Sequence, residues 1–266
     1  MRVMDAADVA GIGAGDEVDS TTRGGAKARM WRYARWQFAE FATQRATIML
    51  LVAGLVAYFF FQIASNTGNL SRPDLVKVLT ATILGFAVPL GMLIGMRGIV
   101  SEDRQQGYHR FLFSKPVSVT RYYLQAFLVQ ATGVMAIAAL LAIIPAVLTL
   151  SFAHVVPVLA LSALFVAMAG GVQFLFSVVS RSDWAWTLFA LGINPIVHQL
   201  GRESGLWWLR PIGWLLPPME AFGRLIASLL MNTEALAVID IFWVAGYGVA
   251  SVAAGLHLLR RRMVAG

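Results

Sequence analysis

Long apolar runs, broken only by short polar connections, restrict this chain to one fold class. Tyr122 to Leu150 and Val158 to Ser180 carry no charged residue at all. A helix crosses the hydrocarbon core of a bilayer with about 20 mainly apolar residues, and several segments reach that length. Charged residues make up 13% of the chain, against roughly a quarter in a soluble domain, and mean hydropathy is +0.70. A membrane β-barrel would show alternating segments of about ten residues, and the sequence has none. The expected fold class is all-α, a polytopic membrane protein.

Six spans are predicted. They are Ala46 to Ala64, about Leu75 to Met96, about Tyr122 to Leu150, about Val158 to Ser180, Trp184 to about Leu200, and about Ala237 to Leu259. Together they form a transmembrane domain over 46–262. An even number of spans puts both termini on one side. Lys and Arg collect on cytoplasmic flanks. Sixteen of the 21 fall before the first span, in the loop after the second, at Arg181, or in the terminal triplet Arg260 to Arg262. Both termini are therefore expected in the cytoplasm, with the chain in a cell membrane, most simply a bacterial inner membrane. The formal net charge of +7 follows from this flanking and does not call for nucleic acid. The chain has no cysteine, so disulfides, thiolate metal sites and Cys nucleophiles are excluded.

Residues 1–29 lack periodicity and read as a flexible tail. GIGAG at Gly11 to Gly15 neither follows a strand nor opens a helix, so a linker is expected there. Over 30–45, Trp31, Ala34, Phe38 and Phe41 recur at helical spacing, with Arg32, Arg35, Gln37 and Arg45 filling much of the remainder. This pattern predicts an amphipathic helix on the membrane surface, its bases toward water and lipid headgroups. The insert 201–236 tempts a seventh span, but Pro217, Pro218, Glu220 and Arg224 are costly in hydrocarbon. Pro218 suits a helix start. Met219, Phe222, Ile226 and Leu229 then form one stripe of an amphipathic or re-entrant helix on the outer side.

No P-loop, HExxH or GxSxG occurs, so the chain has no nucleotide cradle of its own and no recognisable hydrolase centre. His109 lies in the loop after the second span and His257 near the inner end of the last; His154 and His198 both lie near the outer face, where two histidines read as ordinary surface residues, and no cofactor is expected. No acid or base lies near the middle of a span, which argues against an ion-coupled pump. In the second span, Pro89 favours a kink, and Gly91 with Gly95 has the spacing of close helix contacts.

One polar stretch between spans carries the functional signal: RGIVSEDRQQGYHRFLFSKPVSVTRYYLQAF, Arg97 to Phe127. Ser101 is placed to cap a short helix that begins with Glu102, Asp103 and Arg104. Tyr108, Phe111 and Phe113 follow, and Lys115-Pro116 ends the segment. A short helix with one charged and one apolar face suits a groove on a soluble partner.

This stretch resembles the loop between spans two and three of ABC-2 type transporter permeases. The resemblance rests on Glu102 with Arg104, Gly107, Ser114 with Pro116, and Arg121 with Tyr122 and Tyr123. Asp103 separates Glu102 from Arg104, and Lys115 separates Ser114 from Pro116. The surface helix, the six spans and the proline-bearing insert also resemble the family, from about Met30 onward. The resemblance implies a non-enzymatic permease subunit for export or force transmission. It implies a separate cytoplasmic ATP-binding subunit and a second permease copy or homologue as partners, besides membrane lipid. Residues 99–115 would be the coupling segment, with Glu102, Arg104, Tyr108, Phe111 and Phe113 in contact with the ATPase. Trp31, Arg35, Phe38 and Phe41 would brace it from the interface helix. The alternatives are a non-transporting structural subunit of a larger membrane complex and an integral membrane enzyme or redox subunit.

Overall fold

The structure, a computed structural model, describes residues 34–66, 71–107, 118–203, 208–231 and 235–264. The chain divides into two compact units, Met1–Trp36 and Gln37–Gly266. In the first, only 34–36 are described, and they are helical. Arg35 and Trp36 are exposed there.

The second unit is helical throughout its regular elements, with no strand among the described residues. Helix α1 covers 37–66 and includes a π-turn at Ala42–Ala46 before the regular run Thr47–Asn66. Helix α2 covers Arg72–Gly95. Ser71 caps it by accepting from the Asp74 N–H. A short helix α3, Ser101–Gln105, follows. Then come α4 (Val119–Thr149), α5 (Val155–Val179) and α6 (Asp183–Glu203). Two short helices, α7 (Leu209–Leu215) and α8 (Met219–Leu229), precede α9 (Val238–Val264).

Five of these, α1, α2, α4, α5 and α9, include segments long and apolar enough to cross a bilayer. Their outer faces carry Leu51, Leu55, Phe59, Leu140, Val147, Phe242 and Val249, all well exposed. An apolar surface of that extent does not persist in water. The chain is a multi-pass helical membrane protein. The predicted span Trp184 to Leu200 is also a helix, α6, but it does not reach the apolarity of the other five. Asn194, Pro195, His198 and Gln199 interrupt its run.

Pro89 shapes α2. Its ring would crowd the carbonyl four residues back, and it has no N–H to give. The helix widens into a π-turn over Ile83–Ala87, where the Val88 N–H reaches back to the Ile83 carbonyl. Such local widening absorbs the misfit without ending the helix.

Helix α5 is central and packs against α2, α4, α6, α8 and α9. Its tightest partner is α9. Between them glycine lets the backbones touch: a Cβ on Gly171 would lie 2.5 Å from the Gly248 carbonyl oxygen. In lipid there is little hydrophobic drive between helices, so close van der Waals packing of small residues holds them. Gly91 and Gly95 serve α2 in the same way. A Cβ on Gly91 would meet Met49 at 3.1 Å, and one on Gly95 would meet Val134 at 2.7 Å. The core between these helices includes Met49, Leu84, Met92, Tyr123, Phe165 and Phe174, all nearly inaccessible.

The insert folds back into the bundle. Helix α8 starts after Pro218, where the sequence places its start. Its most buried side chains are Ala221, Phe222 and Leu225, with Met219, Ile226 and Leu229 packed beside them. The Phe222 ring lies 5.3 Å from that of Phe165 on α5. The Tyr247 hydroxyl donates to the Leu215 carbonyl at 2.6 Å. Tyr247 lies nine residues inside the start of α9, roughly 14 Å along it at 1.5 Å per residue. The end of α7 therefore lies beside α9 well inside the start of that helix.

Candidate functional site

The polar segment after α2 is built to turn sharply and then plug itself in. The chain leaves α2 at Met96, and Gly98 takes φ +76°, a conformation that favours glycine. A Cβ there would also collide with the Glu102 side chain. Ile99 and Val100 insert into the core and are almost wholly buried. Ser101 is buried as the first residue of α3, and the helix lacks a side-chain cap bond. The expected Ser101 cap is therefore absent, because its side chain is drawn inward with Val100. Gly107, at φ +73°, follows the end of the helix.

Arg45 is the hub of the segment. The π-turn in α1 carries it, and its side chain is mostly buried. One terminal nitrogen donates to the Glu102 carboxylate at 2.7 Å. The other donates to the carbonyls of Gly95, at 3.1 Å, and Arg97. The Gln130 amide on α4, in the orientation that satisfies both of its ends, donates to Gly95 O and accepts from Arg45, each at 3.2 Å. One guanidinium thus closes the end of α2, anchors α3 and reaches α4. Charge-assisted bonds of this kind are about twice as strong as neutral ones.

Three further ties run to the opposite side. The Gly98 N–H donates to the buried Asp183 carboxylate at 2.8 Å. Arg104 donates to the Val178 carbonyl at 2.8 Å, at the end of α5. Gln105 donates to the Arg181 carbonyl at 3.4 Å. Helix α3 is consequently fastened to α1, α5 and the α5–α6 connection, and through Arg45 to α2 and α4.

Asp103 adds a titratable element. Burial pushes its carboxyl up to about 6; the Tyr123 hydroxyl beside it and Arg45 oppose the rise, while Glu40 and Glu102 add to it. The charged form is the disfavoured one in this niche.

The sequence-predicted residues separate into three groups. Glu102 and Arg104 come together in the segment, but both are engaged within the chain. Phe41 is buried, its ring filling the space over Gly133, and it stacks loosely on the exposed Phe38 at 6.5 Å. Trp31, Tyr108, Phe111 and Phe113 lie outside the described residues. Arg35 is exposed. Sequence reasoning missed the roles of Arg45, Asp103, Gln130 and Asp183. The sequence groups Arg45 with the solvent-facing bases, and no local pattern distinguishes it from them.

Among the described residues, no group of three or more His, Asp or Glu side chains is placed to hold a metal ion. His198 faces the Glu220 carboxylate at 3.6 Å. No family model, curated protein or solved structure matches the chain.

Proposed function

We propose that the chain is the membrane subunit of an ATP-driven transporter, with α3 and the residues after it as the point where a separate ATPase pushes. The carrying observation is mechanical. A five-residue helix at the ends of the spans is bonded to the ends of several long helices by named polar contacts. A load applied to α3 passes through Arg45 into α1 and α2, and through Arg104 and Asp183 into α5 and α6. Gln105, Gln106 and Gly107 remain exposed as a contact surface.

The reading takes α6 as a sixth span, both termini as cytoplasmic and the α7–α8 hairpin as outer. It supports the expectation of a permease of the ABC-2 type working with a second copy or homologue, whether for export or for force transmission. It is tested with Glu102→Ala combined with Phe111→Ala. ATPase stimulation by the reconstituted complex should fall while membrane insertion stays intact. Unchanged stimulation, with unchanged co-purification of an ATPase, would refute the assignment.

A further inference from the structure

Among the described residues, two side-chain amides inside the bundle are buried with unsatisfied atoms. Asn194 on α6 is 1% exposed, and neither atom of its amide has a hydrogen-bond partner within the protein. The carbonyl oxygen of Gln173 on α5, at 0% exposure, is in the same position. Burying an amide without a hydrogen-bond partner is costly in an apolar medium, and in lipid there is no bulk water to relieve it.

The two residues lie on neighbouring helices, α6 and α5, both of which pack against α2. On α6, Asp183, Thr187 and Asn194 recur on one face and are each almost fully buried. Asp183 binds the Gly98 N–H, just beyond α2. On α5, Gln173 donates from its nitrogen to the Leu93 carbonyl of α2 at 3.0 Å. Both stripes therefore border the last turns of α2. Asn194 lies eleven residues into α6, about 16 Å along it at 1.5 Å per residue, which is half of a ~30 Å core. At that depth α6 is interrupted, because Pro195 removes an N–H and leaves a backbone acceptor without its helix donor. Counting back the same distance from Gly98 reaches the region of Val88, beside the π-turn and Pro89. Two helices thus lose regularity at the level of Asn194, while Gln173, six residues before the end of α5, lies between that level and Asp183, beside Leu93.

We infer that the α2–α5–α6 seam holds ordered water, continuous with the end of the bundle at Asp183 and reaching Asn194 at mid-bilayer. Water is the ligand that fits: the seam offers an amide donor and several carbonyl acceptors and carries no charge at Asn194 or Gln173. Buried waters of this kind make about three hydrogen bonds to otherwise unsatisfied groups. A hydrated seam lets α6 exchange partners with α2 and α5 without breaking dry polar contacts. The inference does not need the proposed ATPase, but it rests on the reading of α6 as a sixth span.

The test is solid-state NMR on wild-type protein in bilayers with ¹⁵N-labelled Asn and Gln side chains. Asn194→Leu and Gln173→Leu serve only to assign the two resonances. Magnetisation should pass from water protons to the Asn194 and Gln173 side-chain amides within the mixing time that suffices for exposed Gln105. Deuterium should replace their protons on the same timescale. Amide protons that receive no transfer and stay protonated after Gln105 has exchanged would show a dry seam and overturn the inference.

Discussion

Gly248 and Gly246 lie two residues apart on α9, and the structure predicts opposite outcomes when each becomes alanine. A methyl on Gly248 would stand 2.6 Å from the Ala167 carbonyl carbon and 2.9 Å from the Met168 nitrogen, both backbone atoms of α5. Carbon atoms in good contact sit about 3.5–4.0 Å apart, so α5 and α9 must separate by up to about 1 Å. No flexible side chain can absorb the clash. Overpacking costs about 1–3 kcal/mol where side chains adjust, and backbone against backbone belongs at the upper end, about 3 kcal/mol. A methyl on Gly246 would meet nothing within 4 Å. Alanine is favoured over glycine within a helix by about 1 kcal/mol at either position, so that contribution cancels in the comparison. Gly248→Ala should therefore be less stable than Gly246→Ala by about 3 kcal/mol, read as unfolding in mixed detergent micelles. Equal stability of the two variants would mean that α5 and α9 do not meet at Gly248.

Arg45→Met keeps the apolar stem but removes the bonds to Gly95, Arg97 and Glu102; with Glu102 partly in solvent, the loss should be about 2–3 kcal/mol. Hydrogen exchange over residues 96–107 should accelerate while exchange in α9 is unchanged; full protection in both would remove Arg45 from its place as hub. For Asp103, the folded state binds a proton more tightly than the unfolded chain, because the carboxyl is raised from 3.8 to about 6. The associated stability is complete below the unfolded value and is lost as pH rises through about 6. The full difference is up to about 3 kcal/mol, reduced by solvent at its partly exposed face. Protection of α3 should thus decline between about pH 4 and 6 in the wild type and stay flat in Asp103→Asn; a wild-type profile that is also flat contradicts the buried placement. On the opposite side of the bundle, Arg224 grips Asp240 with two bonds, at 2.6 and 2.9 Å. Asp240→Asn should cost about 1–3 kcal/mol and make the α7–α8 hairpin sensitive to protease. The exchange of Arg224→Asp with Asp240→Arg should restore part of the loss, and no recovery would argue against the pairing.

The helices were legible because lipid demands long apolar runs, and the boundaries of α4, α5 and α9 fall within a few residues of expectation. Pro218 marked the start of α8 because a helix accepts proline at its beginning. The π-turn in α2 was legible only as a kink: Pro89 announces a missing bond, but the way the backbone absorbs it depends on what packs around Ile83–Ala87. The polar segment after α2 was found by composition, yet its inner bonds were not. Arg45 and Glu102 are 57 residues apart, and nothing in the local pattern pairs one of several bases with one of several acids. The sequence also suggested that Glu102 and Arg104 face outward to a partner. Both make bonds within the chain, Glu102 to Arg45 and Arg104 to the Val178 carbonyl, while Arg104, Gln105 and Gln106 are exposed.

The central claim is that this segment meets a nucleotide-hydrolysing partner on the cytoplasmic side. Because the chain has no cysteine, Gln106→Cys supplies a single thiol at an exposed position beside α3. A photoactivatable cross-linker attached there in native membranes, followed by mass identification, should capture a protein with a nucleotide-binding P-loop. Labelling should occur only from the cytoplasmic face. A thiol reached only from the opposite face, or capture solely of proteins that bind no nucleotide, would contradict the account.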